Sequence, residues 1–355
     1  MPGAAQFLPD SSSLKKDRRV KLKVCQCSGC GLVQLGNDPV PYYKEVIRAC
    51  GFSKEMKAFR SRQFRAFIQN FSLTKKKVIE IGCGRGEYLA LIEQLGVEAY
   101  GLEYSRKAVA QCVKDGLKVS KGFVTSRNFK LKHAPFDAFF ILNFLEHLPE
   151  PNSAIMGICN NLTDGAVGLV EVPNFDMILR KKLFSEFISD HLLYFTKDTL
   201  AGTLRLNGFE ILGCSRICDD YIISAAVKKR GRPDLSSFYK SQAELKNEIN
   251  KYIRRFRDKN VAIWGAGHQA LAVISLADLA GRIKYVIDSA TFKQGRYTPA
   301  THVPIFSPEA LKSEPPEAII VIAGSYSDEV AGIIRREFGR GMNVSILRDF
   351  GLEIM

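Results

Sequence analysis

A glycine-rich turn after a short apolar run constrains the fold of this chain more than any other feature. Residues 78–81 read Val-Ile-Glu-Ile, and glycines follow at positions 82, 84 and 86. Because glycine has no Cβ atom, such a turn can adopt positive φ and let a ligand approach the backbone amides. The segment predicts a buried strand that turns sharply into a helix, as in an α/β domain.

Further short apolar runs alternate with helical patterns after this turn. The predicted strands are 78–81, 99–102, 138–142, 167–172, 209–212 and 221–227. Helices are predicted at 88–95, from Ser105, and at 197–206, where Thr196 is a suitable N-cap and Gly208 a suitable terminator. Apolar runs of this length separated by helices indicate a doubly wound sheet of parallel strands buried on both faces.

A second α/β series follows, and an amphipathic helix precedes the first. The later strands are predicted at 261–264, 285–287, 319–322 and 344–347. The helix at 53–71 places Lys57, Arg60, Arg62 and Arg65 on its wet side. The predicted order is a basic arm (1–24), a cysteine-containing appendage with the amphipathic helix (25–72), the first α/β domain (73–228), a linker helix (229–258) and a smaller α/β domain (259–355).

Length and charge set the outer limits of function. The chain has 355 residues, 46% of them hydrophobic, which suffices for two domains with separate cores. Its apolar runs are far shorter than the roughly 18 residues of a membrane helix. The N-terminus lacks the apolar core of a secretory signal, so we expect a cytoplasmic protein. The formal net charge of +14 implies attraction to an anionic partner.

Two carboxylates distinguish the glycine turn from a dinucleotide site. The dinucleotide fingerprint is G-x-G-x-x-G, whereas this turn has G-x-G-x-G spacing with Glu80 inside the strand. Glu80 would repel a phosphate but suits a cation. Glu103 ends the next predicted strand, where a carboxylate can accept both ribose hydroxyls of a nucleoside. The pattern favours an adenosine ligand with a positive centre and no phosphate.

These residues resemble the cofactor motifs of class I S-adenosylmethionine-dependent methyltransferases. Five positions match, and Asn143 opens an N-x-x-x-H-x-P pattern that is common in small-molecule methyltransferases. The resemblance implies a Rossmann-type methyltransferase domain with S-adenosyl-L-methionine as cofactor. The cofactor-binding residues that it implies are Glu80, Gly82, Gly84, Gly86, Glu103 and Asn143.

Three dispersed segments also resemble the sugar C-methyltransferases. They are Cys-x-x-Cys-Gly-Leu-Val-Gln-Leu at 27–35, His-x-x-Tyr-Phe at 191–195, and the segment 293–305 of the second, Rossmann-like domain. That family methylates nucleotide-linked keto-sugars at the carbon beside the ketone, through an enolate. The resemblance implies that His191 is the base, that His147 is a supporting donor or second base, and that Asp190 orients or polarises His191.

The second domain is expected to be a platform for the substrate. Lys293 and Arg296 lie in the segment that carries the resemblance, and they would hold the nucleotide diphosphate. The chain departs from the family at Ile188 and Asp190, where the family has Tyr and Glu, and at Ala300, where Gly is expected. A lost tyrosine hydroxyl implies a different carbonyl geometry or another substrate.

The cysteine cluster near the N-terminus is incomplete as a metal site. The family's zinc module uses two Cys-x-x-Cys pairs, but here Cys25, Cys27 and Cys30 supply three ligands at most. Structural zinc requires four ligands, and Cys50 is the nearby candidate for the fourth. A knuckle without metal is therefore favoured, with zinc as the alternative.

Other functions stay open at this stage. The acceptor atom in a small molecule could be oxygen or nitrogen instead of carbon. Gly265-Ala266-Gly267 followed by Asp288 is close to a dinucleotide fingerprint, which would make the protein bifunctional with an NAD-binding oxidoreductase module. The basic arm and helix suggest RNA methylation, but they lack the interleaved aromatics of a stacking platform, so nucleic acid is disfavoured as a partner. The sequence predicts no membrane partner and leaves the oligomeric state open.

Overall fold

The chain divides into two compact units, Met1–Arg232 and Pro233–Met355. The computed structural model describes residues 1–6, 8–45, 53–339 and 341–355. The first unit contains a three-stranded and a seven-stranded sheet, and the second unit contains another seven-stranded sheet. Among the described residues, no helix combines the length and the apolar composition needed to cross a membrane.

The first unit follows the alternation of strands and helices that the sequence predicts. Its strands are β1 (Val24–Gln26), β2 (Val33–Leu35), β3 (Lys77–Ile81), β4 (Glu98–Glu103), β5 (Val119–Lys121), β6 (Phe136–Leu142), β7 (Leu162–Pro173), β8 (Leu193–Tyr194), β9 (Phe209–Ile217) and β10 (Ile222–Lys229). Its α-helices are α1 (Lys54–Asn70), α2 (Glu87–Glu93), α3 (Arg106–Lys114), α4 (Pro151–Cys159), α5 (Phe175–Lys181) and α6 (Lys197–Leu206).

The order of strands in the large sheet places a crevice beside β3. The order is β5-β4-β3-β6-β7-β10-β9, and β3 pairs in parallel with both β4 and β6. After β3 the chain forms β4 on one side of this strand and later forms β6 on its other side. This reversal of direction makes the end of β3 a topological switch point, which is where α/β sheets bind ligands. The doubly wound α/β prediction is confirmed. The last two strands differ, since β10 runs antiparallel to β7 and β9.

The amphipathic helix α1 is present, but one of its basic residues is not on the wet side. Arg60 was predicted to be solvated, yet it is only 1% exposed. Its guanidinium forms a hydrogen-bonded ion pair with Glu171 of β7, which is fully buried. Glu171 also accepts hydrogen bonds from the Gln63 amide and, at 2.9 Å, from the Ser224 hydroxyl. The pair ties α1 to the sheet.

Loss of one partner of this ion pair should destabilise the first unit. Glu171→Gln leaves the Arg60 charge buried without its counter-ion, and breaking a buried pair costs about 3–5 kcal/mol. Asp164→Asn is the matched control, because Asp164 lies on the same strand but is 82% exposed where it faces Lys229. Urea denaturation followed by circular dichroism should show a large loss of unfolding free energy for the first variant and about 0–1 kcal/mol for the second. Equal losses would contradict the assigned role of the pair.

The second unit is a Rossmann-like α/β fold. Its strands are β11 (Val261–Trp264), β12 (Val286–Ile287), β13 (Arg296–Tyr297), β14 (Pro304–Phe306), β15 (Ala318–Val321), β16 (Asn343–Arg348) and β17 (Gly351–Ile354). Its α-helices are α7 (Ser236–Ile253), α8 (His268–Leu276), α9 (Ala310–Ser313) and α10 (Ser327–Glu337). The order is β13-β14-β12-β11-β15-β16-β17, with β11 parallel to β12 and β15. Helix α7, which the sequence suggests as a linker, contributes Ile249, Tyr252 and Ile253 to this core.

Candidate active site

The glycine turn lies at the carboxyl end of β3, as predicted, and adopts left-handed backbone at Gly82 and Gly84. A Cβ atom at Gly82 would meet the Phe144 ring at 2.6 Å, so that position requires glycine for packing as well. A Cβ at Gly84 would meet nothing within 4 Å, which leaves open space above the turn. Gly86 then precedes α2 with φ of 82°. The turn therefore combines close packing on one side with room for a ligand on the other.

Glu103 ends β4 beside this turn, and its carboxylate is fixed by backbone donors. One oxygen accepts from the Gly84 N–H at 2.9 Å and the other from the Ser105 N–H at 2.7 Å. Burial raises the pKa of Glu103, while the Ser105 and Gly84 amides act to lower it. The Tyr104 N–H is a third backbone donor at this carboxylate, which has about four acceptor positions, so capacity for a further hydrogen bond remains. The side chain is thus held in place with acceptor capacity to spare.

A small pocket adjoins Glu103, and the space in it that a water molecule can reach is about 10 Å³. It is lined by Lys44, Ile81, Gly82, Leu102, Glu103, Tyr104, Gly122, Phe123, Val124 and Phe144. Lys44 comes from the N-terminal segment, and its ammonium lies 5.4 Å from the Tyr104 ring centre and 5.5 Å from that of Phe123. The walls combine aromatic and apolar side chains with two charged groups, the Glu103 carboxylate and the Lys44 ammonium.

The other predicted cofactor residues lie at the same edge of the sheet but do not line this pocket. Glu80 is buried on β3. Asn143 follows β6 with φ of 53°, and its N–H donates to the Glu171 carbonyl at 2.9 Å. The structure thus brings Gly82, Gly84 and Glu103 together around open space, with Glu80 and Asn143 in the surrounding frame.

The two predicted catalytic histidines are neighbours. His147 ends a short 3-10 turn (Leu145–His147) after β6, and His191 directly precedes Leu192 and β8. Their ring centres are 4.8 Å apart with the planes at 72°. The Leu192 N–H donates to the Glu146 carbonyl at 2.9 Å, which joins the two loops. Residues far apart in sequence therefore form one histidine pair.

Hydrogen bonding and burial fix the protonation of this pair. His147 Nδ1 lies 2.7 Å from the Asp190 carbonyl oxygen, and since a carbonyl only accepts, Nδ1 carries the proton and Nε2 the lone pair. Burial lowers the pKa of His147. Burial and the neighbouring His147 lower the pKa of His191 to about 3. Both rings are neutral at physiological pH and each offers a lone pair.

The prediction that Asp190 acts on His191 through its carboxylate is wrong. Its carboxylate was expected to orient His191, but it accepts hydrogen bonds from the Tyr42 hydroxyl at 3.0 Å and the Ala5 N–H at 2.9 Å. The reason is that the N-terminal segment covers this carboxylate, leaving Asp190 1% exposed. Asp190 instead acts on His147, through its backbone carbonyl.

Sequence reasoning missed two residues at this site. Tyr42 is one; burial and the hydrogen bond to Asp190 raise its pKa to about 12. Glu146 is the other; burial raises its pKa to about 8, and its Oε2 is buried without a hydrogen-bond partner among the described residues. The sequence offers a signal for Glu146, because this residue directly precedes His147. The local sequence around Tyr42 offers no such signal.

The cysteine cluster does not fit zinc. Cys25 and Cys30 are exposed, and Cys27 is partly exposed. Within the described ranges, these three thiols do not gather as a group of metal ligands, and Cys50, the candidate fourth ligand, lies outside those ranges. Tetrahedral zinc needs four donors around one point, so zinc at this position is not supported.

Comparisons with known proteins agree with the two units. A family model described as a methyltransferase domain matches residues 56–213, and one described as a C-methyltransferase C-terminal domain matches residues 228–343. C-methyltransferase NovU of Streptomyces niveus is 21% identical over 367 residues, covering 93% of this chain and 86% of that protein. A ubiquinone biosynthesis O-methyltransferase of Aromatoleum aromaticum is 27% identical over 165 residues, covering 41% of this chain and 70% of that protein. A methyltransferase structure from Clostridium acetobutylicum has a TM-score of 0.42 at 13% identity, covering 53% of this chain and 96% of that chain.

The fold and the match to the methyltransferase domain at residues 56–213 define the chain as an S-adenosylmethionine-dependent methyltransferase. The second match makes it a C-methyltransferase that carries the C-terminal domain of those enzymes at residues 228–343. The geometry of the site fits the cofactor independently of these comparisons. Gly84 leaves open space beside it, and the Glu103 carboxylate is held by backbone donors with acceptor capacity left beside the pocket.

Removal of the Glu103 carboxylate should weaken cofactor binding. Glu103→Ala deletes the acceptor for the ribose diol, and hydrogen bonds to a charged group contribute about 1.5–3 kcal/mol. Glu98→Ala is the control, because Glu98 begins the same strand and its carboxylate faces Tyr100 and Lys118 instead. Calorimetry with S-adenosylmethionine should show the loss for Glu103→Ala alone. Unchanged affinity in that folded variant would show that Glu103 does not face the ribose.

Proposed function

We propose that this C-methyltransferase acts on a nucleotide-linked keto-sugar and methylates the carbon beside the ketone. The observation that carries the proposal is the neutral His147 and His191 pair, built at the same sheet edge as the glycine turn. A C–H beside a ketone loses its proton because the resulting anion delocalises as an enolate. Such a reaction needs an unprotonated base that touches the carbon.

His191 is the proposed base. Its ring is only partly buried, unlike that of His147, so a substrate can reach it. A nitrogen of His191 accepts the proton, and the electron pair of the C–H bond becomes the enolate. S-adenosylmethionine, when bound, supplies the electrophilic methyl group to that carbon. The imidazolium formed on His191 lies beside the enolate that it creates and stabilises it electrostatically.

His147 is proposed as the second base rather than as a hydrogen-bond donor to the ketone. Its Nδ1 proton is already committed to the Asp190 carbonyl, so Nε2 is an acceptor. Asp190 is a positioning residue, because it fixes the tautomer of His147 without touching the substrate.

The nucleotide is proposed to bind the second unit near β13. Lys293 pairs with Asp288 at 2.8 Å, and Arg296 is exposed on β13. The aromatic side chains of Phe292 and Tyr297 are 74% and 65% exposed, which offers stacking faces beside the two cations. Cations with adjacent aromatic faces suit a diphosphate attached to a base.

The base assignment predicts separable effects on proton removal. In deuterium oxide, with a cofactor analogue that cannot donate methyl, the wild type should exchange the target C–H of a nucleotide keto-sugar. His191→Ala should slow that exchange by about 10²–10⁴-fold, the usual contribution of a positioned base, and should retain binding of both ligands. His147→Ala should slow it less. His133→Ala, an exposed histidine of the same unit, is the control. Carbon NMR measures the exchange.

Two outcomes would revise this mechanism. A larger loss in His147→Ala than in His191→Ala would move the base to His147. Unchanged exchange in both variants would exclude the enolate route and favour an oxygen or nitrogen acceptor.

The nucleotide proposal predicts a change confined to the substrate. Lys293→Ala combined with Arg296→Ala should raise the KM for the sugar nucleotide by about tenfold or more, since each lost charged contact contributes about 1.5–3 kcal/mol. Affinity for S-adenosylmethionine should stay unchanged. The control combines Arg335→Ala with Arg336→Ala, which removes two exposed cations of α10 and gives the same change in charge. An equal rise in KM in both double variants would show that the effect comes from the change in net charge and not from contacts of Lys293 and Arg296 with the nucleotide.

A further inference from the structure

Three side chains of metal-ligand type meet at the histidine pair. One ligand atom each from Glu146, His147 and His191 lies within 4.8 Å of the others. The three come from two loops, and the hydrogen bond from the Leu192 N–H to the Glu146 carbonyl holds these loops together. The cluster is therefore part of the fixed architecture of the first unit.

One ligand atom of this cluster lacks a hydrogen-bond partner within the part of the chain that the structure describes. Glu146 Oε2 is buried and accepts no hydrogen bond. His147 Nε2 is 3.9 Å from Glu146 Oε1, which is longer than a hydrogen bond. Buried polar atoms are nearly always satisfied, so orphaned ones point to a missing ion, water or ligand. Here the unsatisfied oxygen belongs to the carboxylate that lies beside the two imidazoles.

The surroundings of His147 are those of a metal ligand. An imidazole that binds a metal through one nitrogen usually donates its other N–H to a carbonyl or carboxylate. The His147 Nδ1–H donates to the Asp190 carbonyl, and the Asp190 carboxylate is held in turn by Tyr42 and Ala5. His191 is only partly buried, which gives an ion a route to the cluster.

We propose that Glu146, His147 and His191 bind a divalent first-row transition-metal ion, and that the bound ion inhibits proton abstraction. Two imidazoles and one carboxylate form a ligand set that favours such ions over Mg²⁺ or Ca²⁺, which prefer oxygen. The inhibition rests on the proposed function, because a lone pair of His191 that binds the metal cannot also take the substrate proton. The binding itself does not depend on that function.

Cobalt(II) tests the binding. The full-length protein, treated with a chelator and then freed of it, is titrated with Co²⁺ while the visible spectrum is recorded. One equivalent should give d–d bands without thiolate-to-cobalt charge transfer. Glu146→Gln and His191→Ala should each weaken the binding by at least tenfold. Glu150→Gln, which changes an exposed carboxylate close by, should leave it unchanged.

The cysteine cluster is the competing site, and the spectrum separates the two. Cys27→Ser combined with Cys30→Ser should leave the d–d bands intact. Charge-transfer bands that disappear in this double variant, or no binding at millimolar Co²⁺, would overturn the proposal. Circular dichroism and S-adenosylmethionine binding verify that the variants fold. If Glu146→Gln does not fold, His191→Ala still tests the proposal, because His191 is less buried than Glu146.

Activity then distinguishes the two proposals. Co²⁺ should suppress deuterium exchange of the keto-sugar carbon in the wild type, and a chelator should restore it. Binding at the cluster with unchanged or faster exchange would keep the metal site but remove His191 as the base.

Discussion

The candidate active site depends on Asp190, which makes two kinds of contact at once. Its carboxylate accepts hydrogen bonds from Tyr42 and Ala5, and its backbone carbonyl accepts from His147. The carboxylate is 1% exposed, so these donors replace water rather than supplement it. The N-terminal segment and the tautomer of a proposed catalytic histidine are therefore linked through one residue.

The fold was predictable because its signals are local. The helix at 197–206 was predicted with the bounds that the structure gives, since Thr196 accepts a hydrogen bond from the Thr199 N–H and Gly208 has the left-handed φ of a terminator. The turn at Gly82 and Gly84 and the position of Glu103 followed from the strand pattern in the same way. In each case, a few consecutive residues determine the backbone.

Long-range partners were not predictable for the opposite reason. Tyr42 and Asp190 are 148 residues apart, and Arg60 and Glu171 are 111 apart. Helical periodicity places Arg60 between the apolar residues of the helix, a position that is normally exposed to solvent. The local sequence does not show that Arg60 pairs with a buried carboxylate. The prediction that Asp190 orients His191 failed similarly, because adjacency in sequence cannot show that a distant tyrosine occupies the carboxylate.

The chemistry of the histidine pair follows from its low solvent exposure. Burial keeps both imidazoles neutral, since the charged form is the one that loses hydration. The same burial leaves Glu146 with an unsatisfied oxygen and a raised pKa. A neutral imidazole keeps its lone pair free at physiological pH for an electron-pair acceptor, either a proton from a substrate carbon or a metal ion. The histidine pair that we propose to take a proton from a carbon acid is thus also a ligand set for a transition metal, and the proton and the metal ion compete for the same nitrogen.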